Sequence, residues 1–260
     1  MNLEKTIKEE YSDIDYNVKK ELQVDDTIQK DILKQYNIWL REANDIHDSQ
    51  QTEESTFLLI YVYNKARDLL KKNVQSYTAE DITKFSTSVK KPKNYRPEFW
   101  AKYQSGLFLS ALINVHAERT LQEELTKNSL HIEFQQENNS YLLITPEFEE
   151  SPNLIGFQNE RAHILVQGDV GKCCGSRMSG GSITIQGIAG SYLGEYMNGG
   201  KITVHSARDY AGFHMKDGEL HIQEREKQKS EFPFCIGLEK TGGDIYFQGT
   251  KLRFFEDEYE

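Results

Sequence analysis

The side chains best suited to chemistry in this 260-residue chain lie in its C-terminal half: the adjacent thiols Cys173-Cys174, a third thiol at Cys235, and the imidazoles of His163, His205, His214 and His221. Thiolate and imidazole are the usual ligands of zinc and copper. The spacings here match no metal motif, and adjacent cysteines make poor joint ligands. Free cysteine is most often a small buried hydrophobe. Cys173, Cys174 and Cys235 are therefore the only metal candidates, and the expectation is that no metal is bound. An odd cysteine count without framework spacing points to a reducing compartment. The carboxylates Asp169, Glu195, Asp209, Asp217 and Glu219 share the same segment. Glycoside cleavage needs two acids facing one another, and these five do not recur at one outward phase. The glycine phrases do not suit a dinucleotide either. Such a loop must open a long helix, but the phrase at Gly168 is followed by another at Gly187, which leaves no room for one. The expectation is no catalytic residue and no cofactor.

The elements that position these residues are repeats. Gly168 and Gly171 lead through Gly175 and Met178 to Gly180-Gly181, then Ile183 and Ile185. Gly187 and Gly190 lead through Gly194 and Met197 to Gly199-Gly200, then Ile202 and Val204. Ser206 and Arg208 lead through Gly212 and Met215 to Asp217-Gly218, then Leu220 and Ile222. The step is 19 residues and then 18. A short fixed period means stacked coils, each covering the apolar face of its neighbour. The apolar-x-apolar segment has the period of a strand, too short to pair with itself, so it pairs in parallel with its equivalents one coil above and below. Thr184, Thr203 and His221 form one outward ladder, and Gln167, Gln186 and His205 another. Ile164 and Val166 sit one period earlier. Ile245 and Phe247 sit in a degenerate coil after a polar insertion, Gln223 to Ser230, and Cys235 is assigned to that insertion, one to three coils from Cys173. Leu130, Ile132 and Phe134, then Tyr141 to Ile144, read as leading strands, and Leu252 with Phe254 as a closing one. The acidic tail Glu256 to Glu260 would repel a second copy at that end.

The Gly-x-x-Gly, Gly-x-x-Met-x-Gly-Gly-x-Ile-x-Val pattern resembles the Gly-rich β-helix at the C-terminus of the glutamate synthase large subunit, a module that also forms an entire subunit of formylmethanofuran dehydrogenase. Gly187 to Val204 and Asp209 to Ile222 carry the likeness best, over about Ile155 to Gly249. Ser206 and Arg208 depart from expected glycines, one residue is missing before Tyr210, and Gln223 to Ser230 is inserted. The resemblance implies a spacer and docking surface for redox domains or subunits, with no catalytic group to carry over.

Residues 1–127 contain few glycines and no such period. Ile28, Ile32, Leu33, Tyr36, Trp39 and Leu40 recur at helical spacing, as do Phe57, Leu58, Ile60, Tyr61, Tyr63, Leu69 and Leu70. Thr78 begins a capped helix ending near Val89. After a break at Lys90 to Pro97, a continuous helix is expected from Glu98 to about Lys127, apolar on several faces and so central in a bundle. The first 24 residues read as an exposed helix or arm. The division is then 1–127, helical, and 128–260, a right-handed parallel β-helix, an α+β chain whose helices either cap the first coil or recruit a partner.

With 31 basic and 41 acidic residues the net charge is −10, which disfavours nonspecific nucleic-acid binding. The one basic run, Lys90 to Arg96, reads as a solvated loop, with an acidic partner as the alternative. No apolar run spans a bilayer, and Met1 to Lys5 leads into charge, not a secretory core. The expectation is a cytoplasmic, non-catalytic scaffold that docks other protein subunits, with self-association permitted. The alternative is a structural subunit of a redox complex.

Overall fold

A computed structural model describes residues 26–50, 56–93, 96–127, 139–146, 148–225 and 235–253. The expected strands at Leu130 to Phe134, the closing residue Phe254, the acidic tail and the first 24 residues lie outside these.

Among the described residues five α-helices come first: α1 (Asp26–Gln50), α2 (Thr56–Asn73), α3 (Ala79–Ser86), α4 (Trp100–Tyr103) and α5 (Ser105–Lys127). Ile32, Tyr36, Trp39 and Ala43 form the buried stripe of α1, three and four residues apart as one helix face requires. The Trp39 indole N–H donates to Val62 O at 2.9 Å and ties α1 to α2. Not every helical-period apolar residue is buried: Leu33, Phe57 and Tyr61 face solvent. Helix α3 opens with a reciprocal cap. Asp81 N–H donates to Thr78 Oγ1 at 3.2 Å, and Thr78 N–H to Asp81 Oδ2 at 2.9 Å.

The expected continuous helix from Glu98 is broken instead. A 3₁₀ turn (Pro97–Phe99) and α4 precede α5, and Gln104 N–H is shared between Trp100 O and Ala101 O. The cause is tertiary. A β-carbon at Gly106 would collide with the carbonyl oxygen of Asn153, so the start of α5 is pressed against the backbone of the first coil. Leu107, Phe108, Leu109, Ala111, Leu112, Ile113 and Val115 are all buried, which makes α5 central, as its composition implied.

The second half is a parallel β-solenoid. Strands β1 (Ser140–Ile144), β2 (His163–Gln167), β3 (Ser182–Ala189), β4 (Asn198–Ala207), β5 (Asp217–Arg225) and β6 (Asp244–Phe247) pair in chain order, all parallel. One inward ladder is Tyr141, Ile164, Ile183, Ile202, Leu220, Ile245; the other is Leu143, Val166, Ile185, Val204, Ile222, Phe247. The repeat spacing had implied this register. The end of the sheet differs from the expected closing strand. A two-residue strand, β7 (Thr250–Lys251), turns back antiparallel on β6, and Leu252 N–H donates to Ile245 O at 2.8 Å.

A second ladder of hydrogen bonds joins the turns. Gly175 N–H donates to Ile155 O, Gly194 to Cys174 O, Gly212 to Leu193 O and Gly237 to Ala211 O, all at 2.7 to 2.8 Å. Five turns therefore stack, starting at Leu154, Cys173, Tyr192, Tyr210 and Cys235. Cys235 is thus the first residue of a turn, because Ile236 bridges Ala211 in parallel and Gly237 N–H donates to Ala211 O. Gln223 to Arg225 of the expected insertion continue β5, and residues 226–234 lie outside the described set.

The helices cover the edge of the first coil, where unpaired backbone groups need partners. From α5, Ser110 Oγ donates to Leu154 O at 2.9 Å, and Asn114 Nδ2 to Phe157 O and Gln158 O at 3.2 and 3.3 Å. From α3, Thr83 Oγ1 donates to Leu142 O at 2.7 Å, and Ser86 Oγ accepts from Ile144 N–H at 3.0 Å. Buried residues of the helices and of the coils form one continuous apolar cluster.

Candidate functional site

The stacked turns present one outward face, and its chemistry follows from a repeated backbone conformation. Leu154, Cys173, Tyr192 and Tyr210 all have φ between 57° and 65°. Four residues on, Gln158, Arg177, Tyr196, His214 and Glu239 have φ between 51° and 58°. Non-glycine residues seldom adopt this left-handed region. Here it recurs turn after turn, because each turn must superpose on the last to keep the glycine-to-carbonyl hydrogen bonds. Superposition brings equivalent side chains to the spacing of neighbouring strands.

The result is two short columns of rings. Tyr192 and Tyr210 stack with centroids 5.0 Å apart and planes 9° from parallel. Tyr196 stacks on His214 at 4.8 Å. Phe213 stands edge-on to Tyr192 at 5.7 Å and joins the columns. Arg177 lies over Tyr196 at 4.7 Å, a favourable cation–ring contact. At the opposite end His214 Nε2 is 3.1 Å from a Glu239 carboxylate oxygen. All five rings are half-buried, fixed below by the coil and open above. The Tyr192 phenol is raised in pKa by burial, with Tyr210, Glu195 and Cys173 adding to the effect.

The strand face carries the other imidazoles in the outward positions expected for them. His163 Nδ1 is 2.8 Å from Ser182 Oγ, and partial burial lowers its pKa. His221 stacks on Tyr246 at 4.4 Å and meets Glu219 Oε2 at 2.9 Å. That hydrogen bond, with Lys201 beyond it, holds the Glu219 carboxyl below the usual range. His205 lies 3.8 Å from Glu224. Two outward positions, Leu165 and Thr184, are buried.

The three thiols do not converge. Cys174 points inward and is fully buried, which pushes its pKa up. Cys173 and Cys235 are half-buried, three rungs apart in the turn stack, a separation of roughly 14 Å at the spacing of paired strands. Among the described residues, no group of three or more His, Cys, Asp or Glu side chains is placed to hold a metal ion. Asp169 Oδ1 accepts from Ile188 N–H at 2.7 Å, and Asp217 Oδ1 from Gly218 N–H at 2.7 Å, so two of the candidate acids fasten backbone. The glycines and methionines of the repeat serve the interior: Met178, Met197 and Met215 are completely buried.

The ring columns escape a reading of the sequence by period alone. Their signal is the phrase x-apolar-Gly-x-x, which also occurs at Leu154-Ile155-Gly156 and Cys235-Ile236-Gly237. Both copies have lost the methionine, and the first has also lost the glycine pair, which the last keeps as Gly242-Gly243. No helix among the described residues is long and apolar enough to cross a membrane. In comparisons with known proteins, no family model, no curated protein and no solved structure matches this chain.

Proposed function

We propose that this chain is a non-catalytic docking scaffold, in which the helices cover one end of the solenoid and the turn face receives another protein. The observation that carries the reading is the ring ladder of Tyr192, Tyr210, Phe213, Tyr196 and His214. Half-exposed aromatic side chains held rigid by their own stacking lose little conformational entropy when a partner covers them, and aromatic residues dominate the energetics of protein interfaces. A photo-crosslinking amino acid at Phe213, introduced in cells that express the chain, tests this. Adducts to one protein at Phe213, and none from the same probe at Thr203 on the strand face, support the reading. Adducts at neither position count against it.

The second reading makes the partner a redox assembly, with this chain as a structural subunit. What favours it is the likeness of Gly187 to Val204 and Asp209 to Ile222 to the glutamate synthase and formylmethanofuran dehydrogenase module. In that reading the chain holds no cofactor and contributes shape alone. Redox subunits among the Phe213 adducts would favour it over a general scaffold.

A further inference from the structure

Phe57 is the most exposed large apolar side chain among the described residues, at 84 %, and Tyr61, one helical turn later, is 49 % exposed. With Leu58, Ile60 and Asn64 they line an open depression of about 340 Å³ on α2. Leu58, Val62 and Ala66 turn the other face of α2 into the core. The apolar strip continues along the seam between α1 and α2. That seam is marked by the Trp39–Val62 hydrogen bond and by Asn73 Nδ2, which donates to Gln35 Oε1 at 3.0 Å. Ile28 lies seven residues before Gln35, and Leu69 seven after Val62, so both share the seam. Both are only half-buried.

Ahead of Asp26, outside the described residues, the sequence carries a matching strip. Leu3, Ile7, Tyr11, Ile14, Val18 and Leu22 recur at steps of 4, 4, 3, 4 and 4, the spacing of one face of an amphipathic helix. At helical spacing Lys5, Glu9 and Lys20 fall opposite it. The point of attachment fits as well. The two seam bonds set α1 and α2 antiparallel, so Asp26 lies near the Asn73 end of α2. Phe57 is then about 24 Å further along the axis. A helix over residues 3–22 would be about 29 Å long. Gln23, Val24 and Asp25 remain to reverse the chain, a usual length for a connection between antiparallel helices. Folded back along the seam, such a helix brings Leu3 and Ile7 level with Phe57 and Tyr61, and Val18 and Leu22 level with the Asn73 end.

We propose that residues 3–22 dock in this way, as an amphipathic helix that covers the α1–α2 seam with Leu3 and Ile7 over Phe57 and Tyr61. A second copy of the chain suits the patch less well. Aromatic side chains bury about 150–250 Å² each, so Phe57 and Tyr61 together fall short of the roughly 800 Å² per partner that a stable interface covers. A tethered segment needs less area, because the tether sets its effective concentration on the order of millimolar. This contact is internal to the chain and does not depend on what the ring ladder binds.

The test places a photo-crosslinking phenylalanine analogue at Phe57 of the purified full chain and, in separate samples, at Lys72 and Phe99. Lys72 is exposed near the Asn73 end of α2, and Phe99 is exposed in the turn before α4. Within monomers, the Phe57 probe should link to peptides that hold Leu3 and Ile7, and the Lys72 probe to peptides that hold Val18 and Leu22. The Phe99 probe should not link to residues 1–24. Ile7→Asp together with Ile14→Asp should lower the Phe57 adduct about tenfold, through loss of apolar burial. Tyr16→Asp, on the opposite face of the segment, should leave it unchanged. Adducts between two copies only, links to residues 1–24 from Phe99 in place of Phe57, the reverse register, or no link to residues 1–24 at all would overturn the proposal. So would a Phe57 adduct that is indifferent to the paired isoleucine substitutions.

Discussion

The methyl group of Met178 occupies the space that a side chain on Gly200 would need. A β-carbon at Gly200 would lie 2.7 Å from Met178 Cε. The same relation holds one coil later between Met197 and Gly218, at 2.5 Å, and again between Met215 and Gly243, at 2.6 Å. Each buried thioether reaches under the glycine of the next coil, so methionine and glycine are one packing device repeated three times. Gly200 is also held at φ 82°, where a β-branched residue is strained. Gly200→Val should therefore destabilise the chain by ~3 kcal/mol, from backbone strain and overpacking together. Chemical denaturation would measure it. An unchanged midpoint would contradict the stacked register.

Removing the other half of the device leaves a void. Met197→Ala should cost ~3 kcal/mol, the usual range for truncating a fully buried large side chain, whereas Met197→Leu should cost less than about 1.5 kcal/mol. The ordering of the two variants in a denaturation series is the informative readout.

The helical cover depends on a few polar side chains. Ser110 Oγ donates to Leu154 O and accepts from Phe157 N–H at 3.2 Å; Phe157 N–H also reaches Leu154 O at 3.3 Å, so Ser110→Ala removes the bonds across the junction without orphaning these groups, at a cost of about 1 kcal/mol. Hydrogen exchange should then speed up at Phe157 and its neighbours before it does at Ile202 in the middle of the sheet. Uniform acceleration throughout would mean that the cover is not a local device.

Acid should loosen the same junction. His116 Nδ1 lies 2.9 Å from the Tyr141 hydroxyl, between α5 and β1. Burial, reinforced by nearby Arg119, holds its pKa below the ordinary 6.5. The unfolded chain therefore binds the proton more readily, and stability present above pH 6.5 is lost as pH falls through the lower folded value. His163 is shifted in the same direction by burial and adds to the trend. Melting temperature should fall between pH 7.5 and pH 5, and His116→Gln should flatten that slope. A slope unchanged in the variant would rule out His116 as its source.

The repeat was legible in the sequence because glycine, methionine and the two-residue strand period all recur in phase from Gly168 to Ile222. The inward ladder from Ile164 to Ile245 follows from that alone. The first and fifth turns were harder to see. Asn159 takes the methionine position in the first and closes the turn itself, with Nδ2 donating to Ala162 O and Oδ1 accepting from Ala162 N–H, both at 2.9 Å. The break at Gln104 is not announced by its own residue type, since its cause is the close approach of the Asn153 backbone, from another part of the chain, to Gly106 two residues on. The ring ladder was hidden for a related reason. Nothing in the type of Tyr192, Tyr196 or Tyr210 announces a left-handed backbone, and only the stacking of whole turns imposes it.

The most direct test of docking at the ring ladder is paired affinity purification of the wild-type chain and a Tyr192→Ser, Tyr210→Ser variant from the cells that make it. Loss of one stacked ring pair should cost only ~1 kcal/mol of stability, so the variant should remain folded by circular dichroism. The expected result is a protein recovered stoichiometrically with the wild type and lost from the folded variant. Equal recovery with both, or a wild-type chain that purifies alone and turns over a substrate, would contradict a docking role for this face.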